Sequence, residues 1–224
     1  MFDQREFEIR CEWAQDGLRE LSADVIVLVD VLSFATAVEV ATARGARVIP
    51  ADGPPPAPRG QGYSLSPASL REVPSGMRLV LPSPNGSALA LAALERGAVL
   101  AACLRNAGAA AQAAARIGRT VAVIPAGERW RGGGLRPCFE DWVGAGAVIA
   151  GLAGGKSPEA RAAEAAFLAA RAELPRLLRE CGSGKELIGR GFAEDVEMAA
   201  QLDVSANVPR LIDGAFQGLT TSTS

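Results

Sequence analysis

The stretch Ala23-Asp24-Val25-Ile26-Val27-Leu28-Val29-Asp30-Val31-Leu32-Ser33-Phe34-Ala35-Thr36-Ala37-Val38-Glu39-Val40-Ala41 decides the fold class. Its run from Val25 to Val29 is apolar, mostly β-branched and without a polar face, which predicts a strand buried on both sides in a parallel sheet covered by helices. Asp30 ends the run. A carboxylate there loses much of its hydration unless it gains a partner, a metal or a water-filled crevice. In open α/β sheets the ligand crevice lies just outside the carboxyl ends of the strands, where Asp30 falls, and Ser33 is placed to cap the apolar helix that follows. Capping of that helix by Asp30 itself is the simpler alternative.

With 224 residues, 49% of them hydrophobic, and a mean hydropathy of +0.16, the chain can bury a sizeable core in one domain, or in one with a small helical appendage. The net charge of −2, with arginines scattered along the chain, gives no electrostatic case for nucleic acid or an anionic membrane surface. The start, Met1-Phe2-Asp3-Gln4-Arg5-Glu6, is charged, and no apolar run approaches the roughly 18 residues that cross a bilayer. A soluble cytoplasmic protein is expected. Cys11, Cys103, Cys138 and Cys181 form no C-x-x-C pair, so core packing is their expected role. The absence of histidine excludes Ser-His-Asp and Cys-His catalysis and histidine-based zinc sites. Carboxylates, arginine, hydroxyls, backbone amides or a bound ion must carry any chemistry.

Phe7 to Trp13 alternates as an edge strand with one wet face, which leaves room for homo-oligomer formation. Phe34 to Arg44 reads as a helix stopped by Gly45, followed by a strand at Arg47–Pro50, completing a β-α-β unit. Gly53-Pro54-Pro55-Pro56-Ala57-Pro58-Arg59-Gly60 reads as a surface loop. Strands at Arg78–Leu81, Ala98–Leu104 and Thr120–Pro125 then alternate with helices at Asn85–Arg96 and Asn106–Ile117. Beyond Gly127 the strand signals stop. Helices are expected at Phe139–Leu152, Pro158–Ala172, Leu174–Cys181 and Phe192–Leu202, and a frayed tail over Leu219–Ser224. The fold class is therefore α/β, a three-layer α/β/α arrangement with a mostly parallel sheet. Residues 1–127 form the sheet part and residues 128–224 a mainly helical part packed on it.

Four successive strand-to-helix junctions carry the functional signal, because a parallel sheet brings them to one edge. The first holds Asp30 and Ser33. The second, Pro82-Ser83-Pro84-Asn85-Gly86-Ser87, opens a helix whose free N–H groups suit a phosphate. The third gives Arg105 and Asn106, the fourth Gly127, Glu128 and Arg129, with Arg131 and Arg136 close behind. Arginine can hold phosphate or carboxylate oxygens in a bidentate fork, while Asp30 and Glu128 can hold a hard cation. Glu140 and Asp141 add two further acids. Together these groups suggest Mg²⁺ with a small phosphorylated substrate. Gly144-Ala145-Gly146-Ala147-Val148 resembles a dinucleotide fingerprint but falls inside a helix, so close helix packing is expected of it.

Val29-Asp30-Val31-Leu32 with Thr36, Ser64-Leu65-Ser66-Pro67, Ser83-Pro84-Asn85-Gly86-Ser87, Arg105-Asn106, Ala126-Gly127, Phe139-Glu140-Asp141 with Gly144-Ala145-Gly146, and Gly191-Phe192-Ala193-Glu194-Asp195-Val196 with Asp203 and Val208-Pro209 occur in an order that resembles the 2-phosphosulfolactate phosphatase (ComB) family. The resemblance runs from about Asp24 to Leu211. It implies a Mg²⁺-dependent phosphomonoesterase of coenzyme M biosynthesis, acting on a small phosphorylated sulfo-carboxylic acid, with matching positions at Asp30, Asn85, Gly86, Ser87, Asn106, Glu140, Asp141 and Asp195. On this reading Asp30, Glu128 and Asp141 are catalytic candidates, and Ser33, Asn85, Gly86, Ser87, Arg105, Asn106 and Arg129 bind substrate. Asp30, Glu140, Asp141 and Asp195 are the metal ligands. Either Asp30 attacks phosphorus to form an acyl phosphate, or a metal-activated water attacks with a carboxylate as base. Ser33 stands where many members carry arginine, and the proline-rich loop replaces a Gly-Glu-Arg-Gly-Gly tract. Both changes remove anion contacts, which predicts altered specificity toward a less charged phosphomonoester. A non-catalytic module binding a small acidic metabolite is the rival expectation.

Overall fold

The computed structural model describes residues 3–51 and 62–219. The expected proline-rich loop at Gly53–Gly60 and the tail from Thr220 lie outside the described residues. β1 (Ile9–Cys11), α1 (Ala14–Glu20) and β2 (Val25–Val29) lead into α2 (Phe34–Ala43) and β3 (Arg47–Ala51). β4 (Arg78–Pro82), α3 (Gly86–Ala92), β5 (Ala98–Ala102), α4 (Ala107–Ile117) and β6 (Val121–Pro125) follow. A small hairpin, β7 (Glu128–Arg129) with β8 (Leu135–Arg136), precedes α5 (Phe139–Ala150), α6 (Pro158–Ala170), α7 (Leu174–Glu180), α8 (Gly182–Gly189) and α9 (Ala193–Ala199). The described chain closes with β9 (Pro209–Ile212) and β10 (Ala215–Gly218).

The main sheet has the order β1-β6-β2-β5-β9-β10-β3-β4. β2 pairs in parallel with both β5 and β6, and every residue of β2 is buried, as its unbroken apolar run requires. The sheet is mostly parallel and helices cover it, which is the α/β class expected. Two features differ from the sequence reading. The segment beyond Gly127 is not free of strands: β9 and β10 form a hairpin inserted between β5 and β3, antiparallel to both. β2, α2 and β3 therefore do not make a simple β-α-β unit, and β3 and β4 run opposite to β5 along the ladder. The turn of this hairpin is Asp213-Gly214, with φ of 50° and 75°. Positive φ at both central residues marks the type I′ turn that matches strand twist, for which Asp-Gly is a preferred pair.

β1 differs too. All of its residues are buried, because α6 packs on it and residues 155–157 lie along its outer edge. The N–H groups of Glu8 and Ile9 donate to the Gly155 carbonyl at 2.9 Å, and Ser157 N–H donates to the Ile9 carbonyl at 2.9 Å. The edge that suggested self-association is thus occupied within the chain. The Gly144–Val148 run serves packing, as expected, since a Cβ at Gly146 would collide with the Ala163 carbonyl of α6. The four cysteines are free thiols.

α2 touches β3, β5, β9 and β10 together, so the sheet wraps around it. Phe216 of β10 is fully buried against Phe34 at the start of α2, the rings meeting edge-on with centroids 6.1 Å apart. Phe216→Ala should cost about 3–5 kcal/mol, the range for deleting a buried aromatic side chain. Urea unfolding followed by circular dichroism measures it, and a loss below about 1 kcal/mol would show that the hairpin is peripheral to the core.

Candidate active site

Asp30 is only 6% exposed and lines a cavity of about 370 Å³. Its Oδ1 accepts a hydrogen bond of 3.1 Å from Phe34 N–H. Asp30 therefore supplies the side-chain cap of α2, whereas Ser33, at the N-cap position, makes no capping bond and lines the cavity instead. The start of α3 comes close on the other side. A Cβ at Gly86 would lie 2.5 Å from Asp30 Oδ2 and collide with the Phe34 ring, so only glycine fits there.

Two more acids lie beside Asp30, both from the first turn of α5. Asp141 Oδ1 accepts from Val31 N–H at 2.8 Å and Oδ2 from Gly127 N–H at 2.9 Å, which ties the turns after β2 and β6 together. Glu140 is 2% exposed, and its Oε2 has no hydrogen-bond partner. Burial pushes the Asp30 carboxyl up to about 7, helped by the charges of Glu128 and Glu140 and opposed by the Phe34 and Gly86 N–H groups. Burial, Asp30 and Glu140 hold Asp141 well above the usual carboxylate range despite its two amide bonds. Glu128 lines the cavity, and its Oε1 accepts from Asn85 Nδ2 at 2.9 Å and from Arg129 N–H at 2.8 Å. Oxygen donors without a cationic partner suit a hard divalent ion. Among the described residues, however, no three acidic or cysteine side chains converge as a ready metal site.

The remaining walls come from three segments. Ser83 and Asn85 precede α3, and the Ser83 hydroxyl accepts from Gly86 N–H at 3.2 Å and Asn85 N–H at 3.4 Å. Ser64, Leu65 and Ser66 form a second side. Asp195 of α9 secures this side by accepting from Ser66 Oγ at 2.8 Å and Ala68 N–H at 2.9 Å. Ser183, Glu186, Leu187, Arg190 and Phe192, from α8 and the turn after it, form the third.

The structure thus brings Asp30, Ser33, Asn85, Glu128 and Asp195 to one cavity, with Gly86, Glu140 and Asp141 packed around Asp30. It does not bring the others. Ser87 is fully buried, and its hydroxyl donates to the Leu81 carbonyl at 2.6 Å. The third junction lies apart because the chain entering β9 covers the end of β5. Arg105 Nε donates to Glu39 Oε2 at 2.7 Å and its Nη1 to Gln201, while Asn106 Nδ2 donates to the Asn207 carbonyl at 3.0 Å. Arg129 lines a neighbouring cavity of about 220 Å³, on the far side of the Asn85–Glu128 hydrogen bond. Sequence reasoning missed the α8 wall, Arg190 above all. Gly182, Gly184, Gly189 and Gly191 hide the helix; the spacing of Ser183, Leu187 and Arg190 was the available signal.

The family model described as 2-phosphosulpholactate phosphatase matches residues 56–214, more than half of the chain. The 2-phosphosulfolactate phosphatase of Methanothermobacter thermautotrophicus is 33% identical over 141 residues, covering 62% of this chain and 58% of that protein. The probable 2-phosphosulfolactate phosphatase of Gloeobacter violaceus is 31% identical over 137 residues, covering 61% and 56%. That of Carboxydothermus hydrogenoformans is 32% identical over 136 residues, covering 60% and 55%. The chain therefore spans little more than half the length of these relatives. Asp30 and Ser33 lie upstream of the stretch matched by the family model.

The raised Asp30 and Asp141 values fix the sign of a pH effect. Protonation favours the folded state, so this contribution is complete below the unfolded value of 3.8 and is lost as pH rises through the folded value, about 7 for Asp30. Asp24 and Glu8 shift downward, but Asp24 is exposed and Glu8 half-buried, and their effect is complete by about pH 5. In EDTA the urea midpoint should fall between about pH 5 and pH 8, and Mg²⁺ should raise it more at the upper pH. A midpoint that is flat or rises over this range in EDTA would remove the buried acids as a source of strain.

Proposed function

The chain belongs to the 2-phosphosulfolactate phosphatase family, and from that premise we propose that it hydrolyses a small phosphorylated acid of the 2-phosphosulfolactate type, with Mg²⁺ as cofactor. The observation that carries the reading is Asp30, a buried residue of the lining of a cavity of about 370 Å³, beside acids with which no described arginine or lysine pairs. A cavity of that size suits a small ligand.

The donor set fits the ion. The orphaned Glu140 Oε2 and the Asp30 carboxylate offer oxygen to a hard cation, and there is no histidine to favour a softer one. Mg²⁺ is commonly held by one or two protein carboxylates, with water and substrate phosphate as its other ligands, so a cluster short of three converging acids is compatible with it. Asp30 and Glu140 would hold it, while both Asp141 oxygens are engaged by backbone N–H groups. When bound, the cation offsets the charge on the phosphoryl oxygens.

Asp30 lines the cavity, and on this reading it acts on phosphorus, either by direct attack or by taking the proton of an attacking water. The Phe34 N–H orients its carboxylate. Glu128 is fixed across the cavity by Asn85 Nδ2, where it can exchange a proton with the ester oxygen. Ser33, Ser66 and Ser83 line the same space as neutral hydroxyls. Among the described residues the cavity lining contains four acidic side chains against one arginine, which favours a substrate of modest negative charge and keeps altered specificity as the second reading. No described helix is long and apolar enough to cross a membrane; we place the enzyme in the cytoplasm.

Phosphate release should be measured with 2-phosphosulfolactate, phospholactate, phosphoglycolate and phosphoglycerate, with Mg²⁺ and after chelation. We expect turnover with Mg²⁺ only. Asp30→Asn should lower kcat by at least ~100-fold, the scale of losing a catalytic acid or nucleophile, while keeping the fold. Full activity in EDTA would overturn the cofactor assignment. Near wild-type turnover by Asp30→Asn would reduce Asp30 to the cap of α2.

A further inference from the structure

Ser183, Glu186 and Leu187 of α8 and Arg190 at its C-cap all line the cavity, at offsets of three, four and seven residues. That spacing places them on one side of a helix, so α8 presents a single face to the ligand space. Arg190 is the one basic side chain among the described residues lining this cavity, where Asp30, Glu128, Glu186 and Asp195 are the acids. Its guanidinium lies over the Phe192 ring, 5.8 Å from the centroid, and 3.5 Å from Glu186.

We propose that Arg190 binds the non-transferred anionic group of the substrate, a carboxylate or sulfonate, at the α8 side of the cavity, with the phosphate directed toward Asp30. The assignment rests on the phosphatase reading for the orientation of the substrate. Electrostatics carries the rest. An organic acid entering a cavity whose described lining holds four carboxylates meets net repulsion, and Arg190 is the attractive charge in that lining. A cation held by Asp30 and Glu140 would serve the phosphate end, and the opposite anion requires its own countercharge.

Arg190 is held only by an exposed pair and can provide it, whereas Arg105 and Arg136 are engaged elsewhere. Arg105 is paired with the buried Glu39, and Arg136 donates to Ser183 Oγ at 3.0 Å. The Arg190–Glu186 pair joins side chains that are 63% and 65% exposed, and such pairs are readily exchanged for a better acceptor. The planar guanidinium matches two oxygens of a carboxylate or sulfonate, and stacking on Phe192 limits the orientations it must lose on binding.

The test separates binding from turnover. Sulfolactate, the dephosphorylated acid, is titrated calorimetrically into wild-type protein, Arg190→Gln and Arg190→Lys. Their thermal midpoints establish that these changes at an exposed position leave the fold intact. Wild type should bind, Arg190→Gln should bind roughly 10- to 100-fold more weakly, the span of one charge-assisted contact, and Arg190→Lys should recover part of the loss. In turnover, Arg190→Gln should lower the kcat/KM ratio of 2-phosphosulfolactate over phenyl phosphate by a similar factor, mainly through KM. Absence of sulfolactate binding by wild type, or equal binding by Arg190→Gln, overturns the assignment. Arg190-dependent binding without phosphate release from any ester supports it and removes the phosphatase reading instead. Phosphatase activity with an unchanged selectivity ratio in Arg190→Gln retains that reading and removes Arg190.

Discussion

Three carboxylates buried within one cluster set the terms for this molecule. Burial raises the proton affinity of Asp30 and Asp141, the charge of Glu140 adds to both, and no arginine or lysine pairs with any of the three among the described residues. Such a cluster opposes folding unless it is protonated or neutralised by an ion, so the surrounding packing must hold it in place. β2 and β6 do so, with every residue of both strands buried. Asp141 fixes the turns that follow them by receiving the Val31 and Gly127 amides. The same interaction that orders the strand ends also presses the acids together. Structure and electrostatic strain share one side chain.

The C-terminal hairpin decides which strand ends can take part. Because β9 and β10 enter the sheet between β5 and β3, the chain leading into β9 covers the end of β5. Ser205 N–H donates to the Arg105 carbonyl and Asp203 N–H to the Leu104 carbonyl, at 2.9 and 3.0 Å. Glu39, buried on α2, binds Arg105 and Ser205 together. Arg105 and Asn106 thus brace the hairpin against α2, away from the cavity. The arrangement also closes the sheet around α2, so that the start of α3 comes against Phe34 and Asp30 although β4 runs opposite to β2 along the ladder.

What the sequence made legible follows periodicity and burial. The runs at Val25–Val29, Ala98–Ala102 and Val121–Pro125 are apolar without interruption, and each became a buried parallel strand. The helices beginning at Phe34, Ala107, Phe139 and Pro158 were legible for the same reason. β9 was not, because Val208-Pro209-Arg210-Leu211-Ile212 is short and contains a proline, although Asp213-Gly214 signalled the turn. Of the site, Asp30 was legible from its place after a buried strand. Chain neighbours could not reveal that Asn85 would meet Glu128, or that Arg105 would turn to Glu39, since these contacts join distant segments. Arg190 lay in a glycine-flanked stretch that reads as loop. Its role depends on charge at the cavity wall, which a linear pattern does not contain.

Asp24 and Asp141 show what distinguishes a structural acid from one under strain. Asp24 Oδ2 accepts the backbone N–H groups of Arg119 and Thr120 at 2.9 and 2.8 Å, much as Asp141 accepts those of Val31 and Gly127. The two donors lower the Asp24 carboxyl, as donors to an anion do. Asp141 nevertheless moves well upward, because it is buried and faces Asp30 and Glu140, whereas Asp24 is exposed. Two amide bonds are therefore outweighed by desolvation and like charge. Asp30 Oδ1 receives the Phe34 N–H, while Glu140 Oε2 has no partner among the described residues. A positive charge placed among these acids gains from each of them simultaneously, and it gains most at the oxygens that the backbone leaves open. Those oxygens, more than the number of acids, are where an added positive charge relieves the most strain.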